Sequence, residues 1–126
     1  MEKIAVIGAG QMGNGIAQVA ASAGYEVLMI DIKEEYVDRG MATIQKSLSK
    51  LVSKERISQS DADDTLARIS TTTDRAECAD VDLVVEAVPE ILDLKTSIFS
   101  ELDEICKPEC ILASNINFNL NHSQRY

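Results

Sequence analysis

Three glycines near the amino terminus have a spacing that suits the binding of a dinucleotide. They follow an apolar run and precede a segment with helical periodicity, in the pattern GxGxxG. The first glycine permits a tight turn, the second lets a pyrophosphate approach the backbone, and the third lets a helix pack closely against a strand. The amino end of that helix offers free N–H groups and a positive dipole end to phosphates. The alternative is a glycine-rich turn without a ligand. The candidate cofactor contacts are Gly8, Ala9, Gly10, Gln11, Met12 and Gly13.

An acidic residue stands where the ribose of such a dinucleotide is expected. Asp31 follows Gly13 by 18 residues and comes directly after the apolar run 26–30. Its carboxylate can accept hydrogen bonds from both ribose hydroxyls and would repel a 2′-phosphate, which favours NAD over NADP. Lys33 is a nearby cation that weakens this discrimination. The alternative is that Asp31 is a solvated turn residue or a helix cap.

A basic segment interrupts an acidic chain. Lys46, Lys50 and Lys54 are spaced by four and would share one helix face if the helix extends that far. The chain has 12 basic and 21 acidic residues, a formal net charge of −9, so this local reversal would attract a phosphate-bearing substrate. Composition alone favours the alternative, a solvated lysine face.

The elements that must position these residues alternate between strand and helix. Apolar runs predict strands at 3–7, 26–30, 69–72, 83–85 and 110–113. Periodicity predicts a helix over 12–23 with Gly24 as its stop, a helix from 34 to about 52, a helix capped by Ser60 and ending at Arg68, and a helix over 91–105. The order predicts a doubly wound, Rossmann-type α/β fold with a mainly parallel sheet and an inserted helical hairpin at about 34–68.

Composition limits the remaining classes of function. With 126 residues, 45% of them hydrophobic, the chain suits one globular domain. Its acidic balance argues against nucleic-acid and membrane partners. No apolar stretch is long enough to span a membrane and no signal peptide is visible, so we expect a cytoplasmic protein. Cys78, Cys106 and Cys110 are odd in number and lack CxxC spacing, which predicts reduced, partly buried thiols and no metal site.

Several separate motifs resemble one family. The segments IAVIGAGQMGNGIAQVAASAGYEVLMIDIKEE, VVEAVPEILDLK and ILASN resemble the NAD-binding domain of 3-hydroxyacyl-CoA dehydrogenases, and the bacterial 3-hydroxybutyryl-CoA branch is the most similar. The resemblance covers residues 1 to about 115. It implies that NAD is the cofactor and an acyl-CoA the substrate, and that an L-3-hydroxyacyl-CoA is reversibly oxidised to the 3-ketoacyl-CoA. Such a reaction belongs to fatty-acid or butyrate metabolism.

The resemblance also assigns roles to single residues. It implies that the loop 8–13 and Asp31 hold NAD. The matched positions that line the nicotinamide half of the cofactor are Ala87, Glu90 and Lys95, and Asn115 lies close to the nicotinamide and the substrate. The matched positions that contact the CoA part are Ser47, Lys50 and Lys54.

The end of the chain departs from the family pattern. Asn117 occupies the position of the family serine that orients the reacting oxygen, and His122 lacks the His-Phe-Phe-Asn-Pro context of the catalytic histidine. We therefore assign no catalytic residue and expect a domain at 1–115 followed by an atypical tail at 116–126. The family's catalytic His–Glu pair and its C-terminal helical domain, through which family members usually form homodimers, are expected to be absent, and this fragment is expected to be inactive alone.

A second class of function stays open from the sequence. The segment 115–121 places Asn at every second position between apolar residues and could form a strand. A sheet left incomplete exposes an edge that can pair with another chain. The alternative function is therefore a non-catalytic nucleotide-binding or interaction module that self-associates through this edge.

Overall fold

The structure is a computed structural model that describes residues 2–87 and 92–114, with the side chains of 98 and 100–113 in the second range. In these residues strands and helices alternate. Their order is β1 (Lys3–Ile7), α1 (Gln11–Ser22), β2 (Glu26–Ile30), α2 (Glu34–Ser53), α3 (Gln59–Ala67), β3 (Ile69–Thr72), a 3₁₀ helix (Arg75–Asp80), β4 (Leu83–Glu86), α4 (Leu92–Ile105) and β5 (Ile111–Ser114).

The strands form one parallel sheet in the order β3-β2-β1-β4-β5. Val6 of β1 lies beside Met29 of β2 on one side and Val85 of β4 on the other. After β3 the chain crosses to the far side of β1, so the strand order reverses between β1 and β4. Ligands of doubly wound folds bind at the carboxyl ends of the strands around such a reversal. The predicted Rossmann-type α/β fold is confirmed.

The sheet separates two apolar cores. On one face, Val6 and Met29 pack with residues of α1, α2 and α3. On the other face, Ala5 and Leu28 pack with residues of the 3₁₀ helix and α4. Neighbouring positions of a strand belong to different cores because successive side chains point to opposite faces of a sheet. Both faces are thus covered, as a parallel sheet requires.

The sequence pattern predicts α2 and the end of α1 correctly. In α2, Val37, Ile44 and Leu48 are buried, and the two other predicted apolar positions, at 41 and 51, are half-buried. At the end of α1, Gly24 adopts a φ of 104°. Its N–H donates to Ala21 O at 3.1 Å, and the next N–H donates to the carbonyl of residue 20 at 3.2 Å. This is a Schellman motif, which ends the helix at the predicted glycine.

The cap of α3 is Ser58, so the prediction of Ser60 was wrong. The Ser58 hydroxyl accepts from the Asp61 N–H at 3.0 Å, and the Asp61 carboxylate accepts from the Ser58 N–H at 3.5 Å. An acidic residue follows each serine by three positions, so this criterion does not separate them. Core packing distinguishes the two serines. Ile57 and Ala62 flank the Ser58 cap and pack in the same core, as in a hydrophobic staple.

Smaller differences concern element ends. Helix α1 begins one residue earlier than predicted, at Gln11, and β5 is shifted one residue later, to Ile111–Ser114. The 3₁₀ helix was not predicted. It begins after Asp74, whose carboxylate accepts from the Ala76 N–H at 2.9 Å. A short turn of this kind has too few residues to show helical periodicity in a sequence.

The three cysteines lie in the core beneath α4. All are buried and none forms a disulfide within the described residues, as the sequence predicts, although they are more deeply buried than expected. Burial, together with the neighbouring Cys106 and Cys110, raises the pKa of the Cys78 thiol to about 12. The thiol is therefore neutral near pH 7, and a neutral buried thiol behaves as a small apolar side chain.

Asp82 connects the starts of β1, β4 and β5 at the amino edge of the sheet. One carboxylate oxygen accepts from the backbone N–H groups of Glu2 and Lys3 at 2.9 and 3.0 Å. The other accepts from Lys107 Nζ at 2.6 Å. The Asp82 carbonyl accepts from the Ile111 N–H at 3.0 Å. The hydrogen bond from Lys107 and those from the two backbone N–H groups hold the pKa of the Asp82 carboxyl well below its usual range, and the bond to Asp82 raises the pKa of Lys107.

Candidate functional site

The glycine-rich loop lies at the carboxyl end of β1, at the centre of the sheet. Gly8 turns the chain out of the strand with a φ of 113°, and its N–H donates to Ile30 O at 2.6 Å. Helix α1 then begins with Gly10 as its N-cap, and no side chain caps it. The first N–H groups of a helix have no partner within the helix. They and the positive end of the helix dipole face the loop, which suits an anionic group.

Close contacts separate the roles of the loop glycines. A Cβ built at Gly13 would lie 1.8 Å from Gly8 O, so only glycine allows α1 to pack this closely against β1. A Cβ built at Gly10 would meet nothing within 4 Å. The space at Gly10 is therefore open to a ligand, while the space at Gly13 is filled by protein. A pyrophosphate site at a helix end requires both features, open space at one glycine and close packing at another.

Asp31 is placed beside this loop, at the carboxyl end of β2. One carboxylate oxygen accepts from the Ala9 N–H at 2.9 Å, and the other accepts from the Ile32 N–H at 2.7 Å. Each oxygen of an ionised carboxylate has about two lone-pair sites, so each retains one for a ligand. The half-buried carboxylate is thus fixed in orientation and still able to accept from the two hydroxyls of a ribose.

Three elements hold Ala9, the residue between the first two glycines. Asp31 accepts its N–H, and Asn14 of α1, only 8% exposed, donates its side-chain N–H to the Ala9 carbonyl at 3.4 Å. Gly40 of α2 also lies against Ala9, because a Cβ there would be 2.8 Å from Ala9 O. Sequence reasoning missed Asn14 and Gly40. The glycine inside an amphipathic helix is the signal that could have indicated this close approach.

The remaining cofactor candidates are placed only in part. Ala87 follows β4 and its N–H donates to Ile7 O at 2.8 Å, so it lies next to the loop. Glu86, the last residue of β4, is fully buried at the same edge and was not predicted. Lys95 lies in α4, but its side chain is outside the described residues. Four positions named from the sequence, at 90, 115, 117 and 122, are also outside them.

Helix α2 contains Lys46 and Lys50 and ends at Ser53, so Lys54, the third lysine of the predicted helix face, is the C-cap of the helix. Lys50 and Lys54 are exposed, and the Lys54 N–H donates to Lys50 O at 3.0 Å, which continues the helical path past Ser53. Neither ammonium group forms an ion pair with any described residue. Ser47 is half-buried, and its hydroxyl accepts from Gln18 Nε2 of α1 at 3.0 Å. This face carries hydrogen-bond donors suited to an anionic ligand.

Comparison with known proteins agrees with this geometry. A model for the 3-hydroxyacyl-CoA dehydrogenase NAD binding domain matches residues 3–118. The probable 3-hydroxybutyryl-CoA dehydrogenase of Deinococcus radiodurans is 54% identical over 114 residues, covering 90% of this chain and 40% of that protein. The 3-hydroxybutyryl-CoA dehydrogenase of Bradyrhizobium diazoefficiens is 44% identical over 115 residues, covering 91% and 39%.

A solved structure shows the same fold. The crystal structure of (S)-3-hydroxybutyryl-CoA dehydrogenase from Ralstonia eutropha superposes with a TM-score of 0.89 at 40% identity, covering 92% of this chain and 41% of that one. The chain thus spans about 40% of the length of the curated relatives it matches. Within the described residues, no helix is both long and apolar enough to cross a membrane.

Proposed function

This chain belongs to the 3-hydroxyacyl-CoA dehydrogenase family, whose NAD-binding domain it spans, and from that premise we propose that it holds NAD for the reversible oxidation of an L-3-hydroxyacyl-CoA to the 3-ketoacyl-CoA. We propose a 3-hydroxybutyryl substrate, because the relatives named above carry that substrate in their names. The reaction would serve fatty-acid or butyrate metabolism.

The observation that carries this proposal is the arrangement at the carboxyl edge of β1 and β2. The open space at Gly10 lies at the amino end of α1, which no side chain caps, and the N–H of the preceding residue, Ala9, donates to the Asp31 carboxylate. The described residues therefore fit NAD, which would supply the hydride acceptor when bound. In our proposal the loop 8–13 holds the pyrophosphate, and Asp31 holds the adenosine ribose.

The other assignments rest on the family resemblance. We propose that Ala87, Glu90 and Lys95 line the nicotinamide half and that Asn115 lies beside the reacting groups. We propose Ser47, Lys50 and Lys54 as contacts of the CoA part. The two lysines support this, because both are exposed and neither pairs with a carboxylate of the described residues. No described residue is proposed as the general base that alcohol oxidation needs. The contribution of this domain is binding and orientation, an effect of about 7–11 kcal/mol in favourable cases.

The proposal extends to partners and location. The acyl-CoA is the proposed small-molecule partner, and the homodimer usual in the family is the proposed assembly. We propose the cytoplasm as the location, in keeping with the finding that none of the described helices can span a membrane.

A matched pair of glycine variants tests the cofactor site. Neither Gly10 nor Gly15 has an atom within 4 Å of a built Cβ, so Gly10→Ala and Gly15→Ala should both leave the melting temperature at or slightly above the wild-type value. Only Gly10→Ala places its methyl group where we propose the pyrophosphate. NADH titration should show at least a tenfold loss of affinity for Gly10→Ala and wild-type affinity for Gly15→Ala.

The same preparations test the reaction. Oxidation of NADH with acetoacetyl-CoA, followed at the NADH absorbance, is the reverse direction of the proposed chemistry. This chain alone should not catalyse it, because no described residue is proposed as the general base, and detectable oxidation would contradict the expected inactivity. Equal NADH affinity in both alanine variants would show that the loop is not the pyrophosphate site. If the protein binds NADH normally but does not bind acetoacetyl-CoA, the proposed substrate is contradicted and the cofactor assignment is not affected.

A further inference from the structure

A side-chain hydrogen bond joins α1 to the proposed CoA-binding face of α2. Gln18 Nε2 donates to Ser47 Oγ at 3.0 Å, and both residues are half-buried. Ser47 and Lys54 are seven residues apart, about two helical turns, so they lie on the same side of α2. Gln18 therefore acts on one of the three residues proposed to contact CoA, although it is on another helix.

This bond restricts the direction in which the Ser47 hydroxyl can donate its proton. A serine hydroxyl has one proton to donate and two lone pairs that accept. Gln18 occupies a lone pair, and no described residue accepts the Ser47 proton. Two threonine hydroxyls in helices point back to the backbone instead: Thr43 and Thr65 donate to the carbonyls four residues earlier, at 3.0 and 2.9 Å. Ser47 makes no such bond.

The available donor matches the chemistry of the proposed ligand. Phosphate oxygens and amide carbonyls, which CoA carries, only accept hydrogen bonds. The ammonium groups of Lys50 and Lys54 only donate. With Gln18 in place, Ser47 also presents a donor, so all three residues proposed to contact CoA offer donors to the ligand.

We infer that Gln18 is a positioning residue for acyl-CoA binding, because its amide donates to Ser47 Oγ and so directs the Ser47 hydroxyl proton toward the ligand. The inference rests on the proposed CoA contact of Ser47. It assigns to Gln18 no contact with CoA and no part in NAD binding.

A double-mutant cycle on CoA affinity tests the inference. The variants are Gln18→Met, Ser47→Ala and the double variant, and CoA binding to each is measured by calorimetric titration. Ser47→Ala should weaken CoA binding about tenfold, the size expected for one hydrogen bond to a charged group. Gln18→Met should weaken it about threefold to tenfold, and in the Ser47→Ala background it should have no further effect.

Controls separate this role from general stability. Gln45→Met and Ser49→Ala change the same residue types at exposed positions of α2 and should keep the wild-type CoA affinity. The melting temperature and the NADH affinity should be unchanged in every variant. If Gln18→Met lowers the melting temperature, Gln18→Glu replaces it: a carboxylate keeps the length of the side chain but accepts the Ser47 proton, so CoA binding should again weaken, and more than in a Gln45→Glu control.

Several results would contradict the role proposed for Gln18. Wild-type CoA affinity in Gln18→Met or Gln18→Glu would overturn the inference, and so would losses in Gln18→Met and Ser47→Ala that multiply independently. Both results would leave the proposed function intact. If the wild-type protein binds NADH but not CoA, the proposed CoA site is contradicted, and so is the inference that depends on it.

Discussion

At the scale of single residues, Asp31 has two roles that share one carboxylate. It accepts the Ala9 N–H of the loop and the Ile32 N–H of its own strand end, and it faces the proposed ribose position. A substitution there changes both the ribose contact and the conformation of the loop. The loss of affinity should therefore exceed that of a simple ligand contact.

Asp31→Ser should weaken NADH binding by about 10- to 100-fold, because a charge-assisted acceptor is lost. The ratio of NADPH to NADH affinity should rise, since the serine no longer repels a 2′-phosphate. Titration with both nucleotides measures the ratio. Asp38→Ser removes an exposed carboxylate from α2 and serves as the control. An unchanged ratio in Asp31→Ser would contradict the ribose assignment.

The three thiols should be inert in the native protein. All are buried, and the pKa of Cys78 is raised to about 12 by burial and by the neighbouring thiols, so almost no thiolate forms near pH 8. Ellman's reagent should label none of them in the folded protein and all three after denaturation. Rapid labelling of a thiol in the folded state would show that the core beneath α4 opens readily.

At the scale of elements, α2 packs directly against the glycine-rich loop. Gly40→Ala would place a methyl group 2.8 Å from Ala9 O, so α2 or the loop must shift. We expect a loss of about 1–3 kcal/mol in the free energy of unfolding, as in overpacked sites, together with weaker NADH binding. Chemical denaturation measures the first and titration the second.

Gly15→Ala is the matched control for this prediction. It lies in α1 with open space around its built Cβ, and replacing a helical glycine with alanine should stabilise by up to about 1 kcal/mol. Gly13→Ala should be more disruptive than Gly40→Ala, because its methyl group would lie 1.8 Å from a backbone oxygen. Equal stability of the Gly40 and Gly15 variants would argue that the loop tolerates a displaced α2.

Local patterns in the sequence predict these elements well and their contacts poorly. The apolar runs identify the strands, and the face of Val37, Ile44 and Leu48 identifies α2, because burial follows strand and helix periodicity. The loop glycines and Asp31 are found since their spacing is short. Gly40 and Gln18 are missed because each acts on a residue of another element, a relation that no local pattern contains. The choice of Ser58 over Ser60 likewise depends on core packing.

At the scale of the whole molecule, Asp82 links the amino-terminal segment, β4 and β5 at the edge opposite the proposed NAD site. Hydrogen bonds from Lys107 and from two backbone N–H groups lower its pKa from the ordinary 3.8. At acidic pH the unfolded chain therefore binds more protons than the folded one, so stability falls as pH falls. The contribution is fully present above the ordinary pKa, declines as pH falls below it, and disappears only below the lowered pKa of the folded protein.

Thermal melting between pH 7 and pH 3 should show this contribution. Asp82→Asn should melt several degrees below wild type at pH 7, and the difference should shrink below about pH 4. Asp80→Asn changes a neighbouring carboxylate whose ion pair with Lys3 is exposed, and it should follow the wild-type curve. A wild-type advantage over Asp82→Asn that stays constant down to pH 3 would count against the role of Asp82.

The division of the interior by the sheet means that the domain can be redesigned one face at a time. Ile98 and Leu102 of α4 pack in the core that also contains the 3₁₀ helix, so changes of side-chain volume there affect that face of the sheet. The glycine-rich loop, α1 and α2 pack on the other face or at the sheet edge. Substitutions in opposite cores share few partners, so their free energies should add. A library that repacks the cysteine side should therefore yield a wide range of stabilities at nearly constant NADH affinity.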